Sequence, residues 1–387
     1  MRLKGAASNG LATVDKYYEN YGCRARELKM QGKKIIGYLC ACAPVEMITA
    51  AGFIPFRLKG DINEPIIKAD SYMEVIVCPL IRSCFEGAVK GRYEFLDGLI
   101  VPHACDSISR TYDVWKYGLL LPYCHFVDIP RILDEPSLDF VKASLATFRK
   151  SLEKFAGERI SDEDLVKTVG LYNQNRAKIR ELYELRRPDP PLLTGAEVRK
   201  ILVAGMGIPV EESTELISTV IEEVKARGGI AADKAARIMV LGTQVDHADL
   251  IDLVEVSGAV VVADALCPGL RDSGSNVDLT RDPMEGIAKH YLSGIDCPKN
   301  WVERTGTYQA YLEKRFGHLR RYIKDLRVDG VILYVYRCCD PLGWEVPEIK
   351  KYIEALDIRV LHLEAGYSMS DIGRLRTRVQ AFIEMIG

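Results

Sequence analysis

The sequence predicts an α/β protein made of two doubly wound parallel-sheet lobes that face one another across a cleft. Two observations carry this. Short apolar runs rich in Val, Ile and Leu recur along the chain with helix-length segments between them, which is the pattern of strands covered on both faces. The alternation is broken once, by the stretch "PDPPLLTG" (188–195), so that it reads as two similar halves. We place the lobes at 1–190 and 191–387.

In chain order, "KIIGYL" (34–39) is the first strand, and it runs directly into "CACAPVEM", two cysteines and an acid-bearing Pro-Val-Glu that enter a helix. "GLIVPH" (98–103) and "CHFVDIP" (124–130) complete the strands expected in the first lobe, with helical stretches between them. "ISDEDLVKTVGLYNQNRAKIRELYELRR" (160–187) is the longest amphipathic helix. Ser161 suits its N-cap, and Asp162, Glu163 and Asp164 put negative charge in its first turn. Arg186 and Arg187 close its other end, as the helix dipole favours. After the Pro-rich break, 196–228 is a helical stretch. Strands follow at "RIMVLGTQ" (237–244), "GAVVVADALC" (258–267), "DGVILYVYRCC" (329–339) and "IRVLHLEAG" (358–366).

Bulk properties narrow the function. With 387 residues, 48% hydrophobic, 27% charged and a net charge of −2, the chain is long enough for two α/β cores. It lacks the basic excess that binding a phosphate backbone uses, so nucleic acid is not an expected partner. No apolar run is long enough to span a bilayer, so no membrane association is expected either. The N-terminus has no apolar segment of signal-peptide length, and the expected location is the cytoplasm. Neither GxGxxG nor GxxxxGK[ST] occurs, so a nucleotide site is not expected on this chain.

Eleven cysteines in a reducing compartment read as metal ligands, redox groups or small core residues rather than disulfides. There is no CxxC pair, and zinc-finger and ferredoxin spacings are absent, so any metal site has to be assembled from distant segments. Position supplies what spacing does not. Cys40, Cys105, Cys267 and Cys339 each follow a predicted strand, where the loops of a parallel sheet converge on a ligand crevice. Cys78 and Cys297 each precede a proline in an apparent turn, which makes three candidates in each lobe. Thiolates are soft ligands that select zinc, copper(I) or iron–sulfur clusters. Any one cysteine is more often a small core residue, but four at equivalent strand ends are hard to ascribe to packing alone. Cys23, Cys42, Cys84, Cys124 and Cys338 are assigned to packing, although Cys42 and Cys338 adjoin candidates.

These residues carry a resemblance. The segments "GYLCACAPVEMITAAGFIPFRL", "CPLIRSC", "YEFLDGLIVPHACDSISR", "VDIPR", "ISDEDLVKTVGLYNQNR", "DALCPGLR", "DGVILYVYRCCDP" and "GRLRTRVQAFIEMI" together resemble a subunit of the 2-hydroxyacyl-CoA dehydratase and benzoyl-CoA reductase family, which includes the double-cubane cluster proteins. The resemblance implies two flavodoxin-like lobes with iron–sulfur chemistry in the cleft between them. It implies Cys40, Cys78, Cys105, Cys267, Cys297 and Cys339 as the motif cysteines, holding one 4Fe-4S cluster or two cubanes joined by a sulfide. It implies an acyl-CoA substrate, a sister subunit or second copy, and an ATP-hydrolysing iron–sulfur activator that binds transiently and carries the ATP. In that chemistry one electron passes to the thioester carbonyl, and the resulting ketyl-type radical anion expels hydroxide or takes up a proton. The C-terminal stretch is most similar to the dehydratase and reductase subunits. Two other readings are a cluster-carrying scaffold without turnover and a zinc protein with a structural site.

Several further residues invite roles beside bland ones. Glu46 is a candidate catalytic residue that transfers a proton or orients the Cys40 loop, against a helix-capping carboxylate. Asp106 and Asp340 follow candidate ligands and read first as turn residues. Arg82, Arg110 and Arg271 are candidates for coenzyme A phosphates, against ordinary solvated arginines. His103 and His362 lie on predicted strands and read as core histidines or proton donors. "RLRTR" (374–378) with Glu364 suggests an ion-pair network near the chain end.

Overall fold

A computed structural model describes residues 9–229, 235–279 and 282–387. In its first half, strands β1 (Ile35–Tyr38), β2 (Ile54–Arg57), β3 (Gly98–Pro102) and β4 (Tyr123–Val127) form a parallel sheet in the order β2-β1-β3-β4. In the second, β5 (Ala236–Gln244), β6 (Ala259–Cys267), β7 (Gly330–Tyr336) and β8 (Arg359–Ala365) form another in the order β6-β5-β7-β8. The two orders are the same, and the expected pair of flavodoxin-like lobes is found. In each sheet the strand order reverses at the central pair, so the ligand crevices lie beyond the C-terminal ends of β1 and β3 and of β5 and β7.

The apolar runs read as strands are buried for the reason expected. All of β3, β6 and β7 is buried, because helices cover both faces. At roughly 1.5–3 kcal/mol for each large aliphatic side chain removed from water, these three strands supply much of the drive for both cores. β5 and β7 lie so close that a Cβ at Gly242 would stand 1.9 Å from the Tyr334 carbonyl oxygen, so only glycine fits there.

Three local expectations change. The strand β2 is absent from the sequence reading. It is four residues long, carries Pro55, and pairs only with β1, the edge position that proline tolerates. The stretch 196–228 is two helices, Gly195–Gly205 and Val210–Lys225, parted at Pro209, which caps the second. The long helix runs Asp162–Glu184 with Ser161 as its cap, as expected, but Arg186 lies beyond its end. The Arg186 side chain is fully buried, donates to the Val261 carbonyl and meets Asp264 at 3.4 Å, so it ties this helix to β6 rather than serving the dipole.

The halves interlock. Helix Gly10–Glu19 packs on the second half, with the Leu11 amide donating to Glu223 (3.2 Å) and Lys200 paired with Asp15 (3.0 Å). The fully buried Asp246, just past β5, accepts from the Gly60 amide and the Tyr367 hydroxyl, both at 2.7 Å. Arg57, at the end of β2, donates to Gln244 at 2.8 Å and meets Asp272 at 3.6 Å. Among the described residues no helix is long and apolar enough to cross a membrane.

Candidate functional site

Four of the candidate cysteines, Cys40, Cys105, Cys267 and Cys339, stand where a strand hands over to a turn or helix, and Cys78 and Cys297 stand in turns away from the strands. The loop after β1 bends so sharply that Cys40 adopts a left-handed backbone, φ 52°, and Cys338 does the same, φ 61°, directly before Cys339. That conformation costs a non-glycine residue about 1–2 kcal/mol, which the surrounding packing must offset. Cys78 occupies the N-cap position of helix Pro79–Val89, Cys105 that of Asp106–Ser109 and Cys339 that of Asp340–Gly343. Cys267 is the last residue of β6, with a cis bond to Pro268. Cys297 closes a tight turn, its amide donating to the Ile295 carbonyl at 2.6 Å.

The thiols act on one another. Burial raises Cys78, and the charges of Cys339 and Cys105 add to the effect, while the amides of Ile81 and Leu80 oppose it without closing a cap hydrogen bond. Burial also pushes Cys339 up to about 12 and Cys267 up to about 11. Cys105 is raised by burial and lies within reach of Cys297; Cys267 is in turn within reach of Cys297 and Cys40. Sulfur from both sheets therefore forms one connected electrostatic neighbourhood that includes all six candidates.

Cys42 is buried in the core of the first half, in keeping with its assignment to packing, and also acts on this group. Cys40 and Cys42 share a hydrogen bond, so one keeps the proton and the other becomes the acceptor. Cys42, which feels Arg131 and Lys299, is the one held low. Of the remaining cysteines, Cys84 is buried in the core of the first half, Cys124 lies on β4 beside Lys116, Cys23 starts helix Cys23–Met30, and Cys338 is exposed. Among the described residues no three His, Cys, Asp or Glu side chains form a group suited to a single metal ion. A cubane spreads its thiolates over a wider frame than one ion does.

Cations line this sulfur group. Arg271 is buried, donates to the carbonyls of Gly242 (2.8 Å) and Ala265 (2.7 Å), and reaches the Cys267 sulfur at 3.6 Å. It serves neither reading given to it from sequence, being neither a surface residue nor placed for a phosphate. Arg131 donates to the His103 carbonyl and Lys299 to the Ala104 carbonyl, the two peptide groups before Cys105. Arg131 and Lys299 were missed in the sequence. The only signals were a basic residue closing "VDIPR" and another two places after Cys297, and such residues are ordinarily solvated.

Glu46 is fully buried and does not cap its helix. Its Oε1 meets Arg176 at 2.5 Å and its Oε2 accepts from the Tyr291 hydroxyl at 2.6 Å. Burial raises its carboxyl, but Arg176, His290 and Tyr291 outweigh that and hold it below the usual range. Because the Tyr291 hydroxyl also accepts from the Val45 amide at 3.2 Å, the trio fixes the helix that follows the Cys40–Cys42 loop. Next to that loop a cavity of about 140 Å³ opens between the halves, lined by Ala41, Tyr38, Arg57, Pro268, Gly269 and Asp272.

The other residues singled out in the sequence lie elsewhere. Asp106, Asp340 and Arg110 are exposed. Arg82 pairs with Asp70, and His103 with Asp128 at 2.6 Å. His362 is partly buried with Nε2 unpartnered. Arg378 donates to the His362 carbonyl at 2.8 Å, whereas Glu364 faces Arg337 at 3.9 Å, so the expected network forms only in part.

Fold and site together define a class: two-lobed α/β proteins whose paired parallel sheets present cysteines to one another from their strand ends. The comparisons narrow this. The profile of the family described as 2-hydroxyglutaryl-CoA dehydratase, D-component, matches residues 40–386, and the chain belongs to that family. It is 24% identical over 364 residues to the (R)-phenyllactyl-CoA dehydratase beta subunit of Clostridium sporogenes, covering 93% of this chain and 94% of that one. It is 26% identical over 360 residues to one of the benzoyl-CoA reductase subunits of Thauera aromatica, covering 92% and 91%. It is also similar to the (R)-2-hydroxyglutaryl-CoA dehydratase beta subunit of Acidaminococcus fermentans, 24% identical over 363 residues, covering 92% and 94%. The chain is thus an enzyme component of the dehydratase and reductase kind.

Proposed function

We propose that this chain is the iron–sulfur subunit of an acyl-CoA dehydratase or reductase, with Cys40, Cys78, Cys105, Cys267, Cys297 and Cys339 supplying the ligands of one 4Fe-4S cluster or of a sulfide-bridged double cubane. The observation that carries this reading is the single sulfur neighbourhood built from loops of two separate sheets. Soft thiolates held by remote segments, with buried cations beside them, suit an iron–sulfur group that bears net negative charge.

When bound, such a group supplies one-electron chemistry at low potential, which is what removing a hydroxyl beside a thioester or reducing an aromatic acyl thioester requires. The protein's own tasks are ligation, exclusion of water by the two sheets, and orientation. Glu46 belongs to the last: through Arg176 and Tyr291 it fixes the helix behind the Cys40 loop, and its two engaged oxygens make it a positioning residue rather than a proton carrier. The partners in this reading are a sister subunit or second copy, in keeping with relatives that are named as subunits, and an ATP-hydrolysing iron–sulfur activator that carries the ATP. The substrate is an acyl-CoA thioester.

Anaerobic purification with iron and sulfide counting tests the reading, about four irons per chain meaning one cubane and about eight the double form. Cys40→Ala, Cys105→Ala and Cys339→Ala should each lower bound iron severalfold, and Cys124→Ala should leave it unchanged. Equal iron in all four variants would overturn the ligand assignment. Turnover of a panel of acyl-CoA thioesters only with activator and ATP separates an enzyme from a cluster-carrying scaffold.

A further inference from the structure

Two cations meet at the sulfur group under conditions that ordinary packing does not explain. The guanidinium of Arg131, from the loop after β4, donates to the His103 carbonyl. The ammonium of Lys299, two residues past Cys297 in the second half, donates across the cleft to the Ala104 carbonyl. Those are consecutive peptide groups, and the next residue is Cys105. Main-chain pairing locks the two segments together: the Trp301 amide donates to the Arg131 carbonyl at 2.7 Å and the Leu133 amide to the Trp301 carbonyl at 3.2 Å. Ile132 and Trp301 form a parallel bridge there.

Neither cation is paired with a carboxylate among the described residues. The strongest charged neighbours of Arg131 are Cys42, Cys297 and Cys40, and those of Lys299 are Cys297, Arg131, Cys40 and Cys42. The Nε of Arg131 is buried with no hydrogen-bond partner. Two like charges held side by side in a sheltered site are costly unless a negative group faces them. Cys42, the one thiol held low, supplies a single negative charge against two cations, and the protonated thiols supply none, whereas thiolates bound to iron add the rest.

We propose that Arg131 and Lys299 form a cationic bracket that compensates the charge of the iron–sulfur group and sets its reduction potential. This rests on the ligand reading above and deepens it. Positive charge near a cluster favours the form carrying one more electron and so raises the midpoint potential, one of the means by which a protein tunes such a centre. Both residues are positioning residues: they act through the sulfur group and need not touch substrate.

The experiment is a potentiometric titration of the anaerobically purified protein followed by electron paramagnetic resonance, with iron counted in every sample. The variants are Arg131→Gln, Lys299→Gln and the charge-conserving Arg131→Lys. With iron retained, each Gln variant should shift the midpoint to more negative potential. A tenfold change in the oxidised-to-reduced ratio at fixed poise is expected, which is about 59 mV for a one-electron couple. Arg131→Lys should recover most of the shift. Iron-replete Gln variants with the wild-type midpoint would overturn the bracket while leaving the ligand assignment standing. Loss of iron from both Gln variants, with unchanged circular dichroism, would also overturn it, because the pair would then fasten the loops rather than set a potential. A wild-type protein without iron would sink the ligand reading itself.

Discussion

At the scale of single residues, the site turns on which thiols face inward. Six candidate cysteines stood out in the sequence because four follow an apolar run, the positions a parallel sheet sends to its crevice, and two precede a proline. Cys42 was not legible: Cys40 and Cys42 share one short loop, and spacing alone does not say which sulfur turns towards the cleft. The left-handed backbone at Cys40 brings the two into hydrogen-bond contact. Arg131 and Lys299 escaped for another reason, since a partly buried loop cation is recognised only once the opposite wall is in place. Cys42→Ala should retain most of its iron if Cys42 supports Cys40 through that hydrogen bond, and should lose as much as Cys40→Ala if it is a ligand. The iron-to-protein ratio of the two variants decides between them.

At the scale of elements, the strands and the long helix were legible and the exceptions have local causes. Fully covered parallel strands are continuous apolar runs, so β5, β6 and β7 stand out in the sequence. β2 does not, because proline in a four-residue run reads as a break. The start of helix Asp162–Glu184 was readable from Ser161 and the acids behind it. The Ser161 hydroxyl accepts from the Asp164 amide at 3.1 Å, and Asp164 accepts from the Ser161 amide at 2.9 Å. Replacing Ser161 with Ala should cost about 1 kcal/mol, measured as a lower urea midpoint. Bound iron should not change, because the cap is exposed and far along the helix from Arg176. A loss of iron as large as that of a ligand variant would show that this helix does more than pack.

At the scale of the whole molecule, the paired architecture was legible but the seam was not. Its contacts join residues as far apart in sequence as Glu46 and Tyr291, or Leu11 and Glu223, which no local pattern reveals. The seam also sets a pH dependence. Burial, helped by Arg176, pushes His290 down to about 4 from its usual 6.5. Between those values the unfolded chain binds a proton that the folded one does not, so stability should fall as pH drops through this interval, by about 3 kcal/mol. Glu46, held below its usual 4.5, adds a further loss at more acidic pH. Urea midpoints at pH 7 and pH 5 check this: the wild type should be weaker at pH 5, and His290→Gln should show a flatter response.

The buried Asp246, gripping Gly60 from one side and Tyr367 from the other, together with Arg57 reaching Gln244, means that the two walls are bolted together by the polypeptide itself. A zinc finger, by contrast, collapses when its ion is taken away. On the proposed iron–sulfur reading the socket should outlast its guest: a chelated sample should keep its circular dichroism and, given ferrous iron, sulfide and a reductant without oxygen, regain its colour without passing through denaturant.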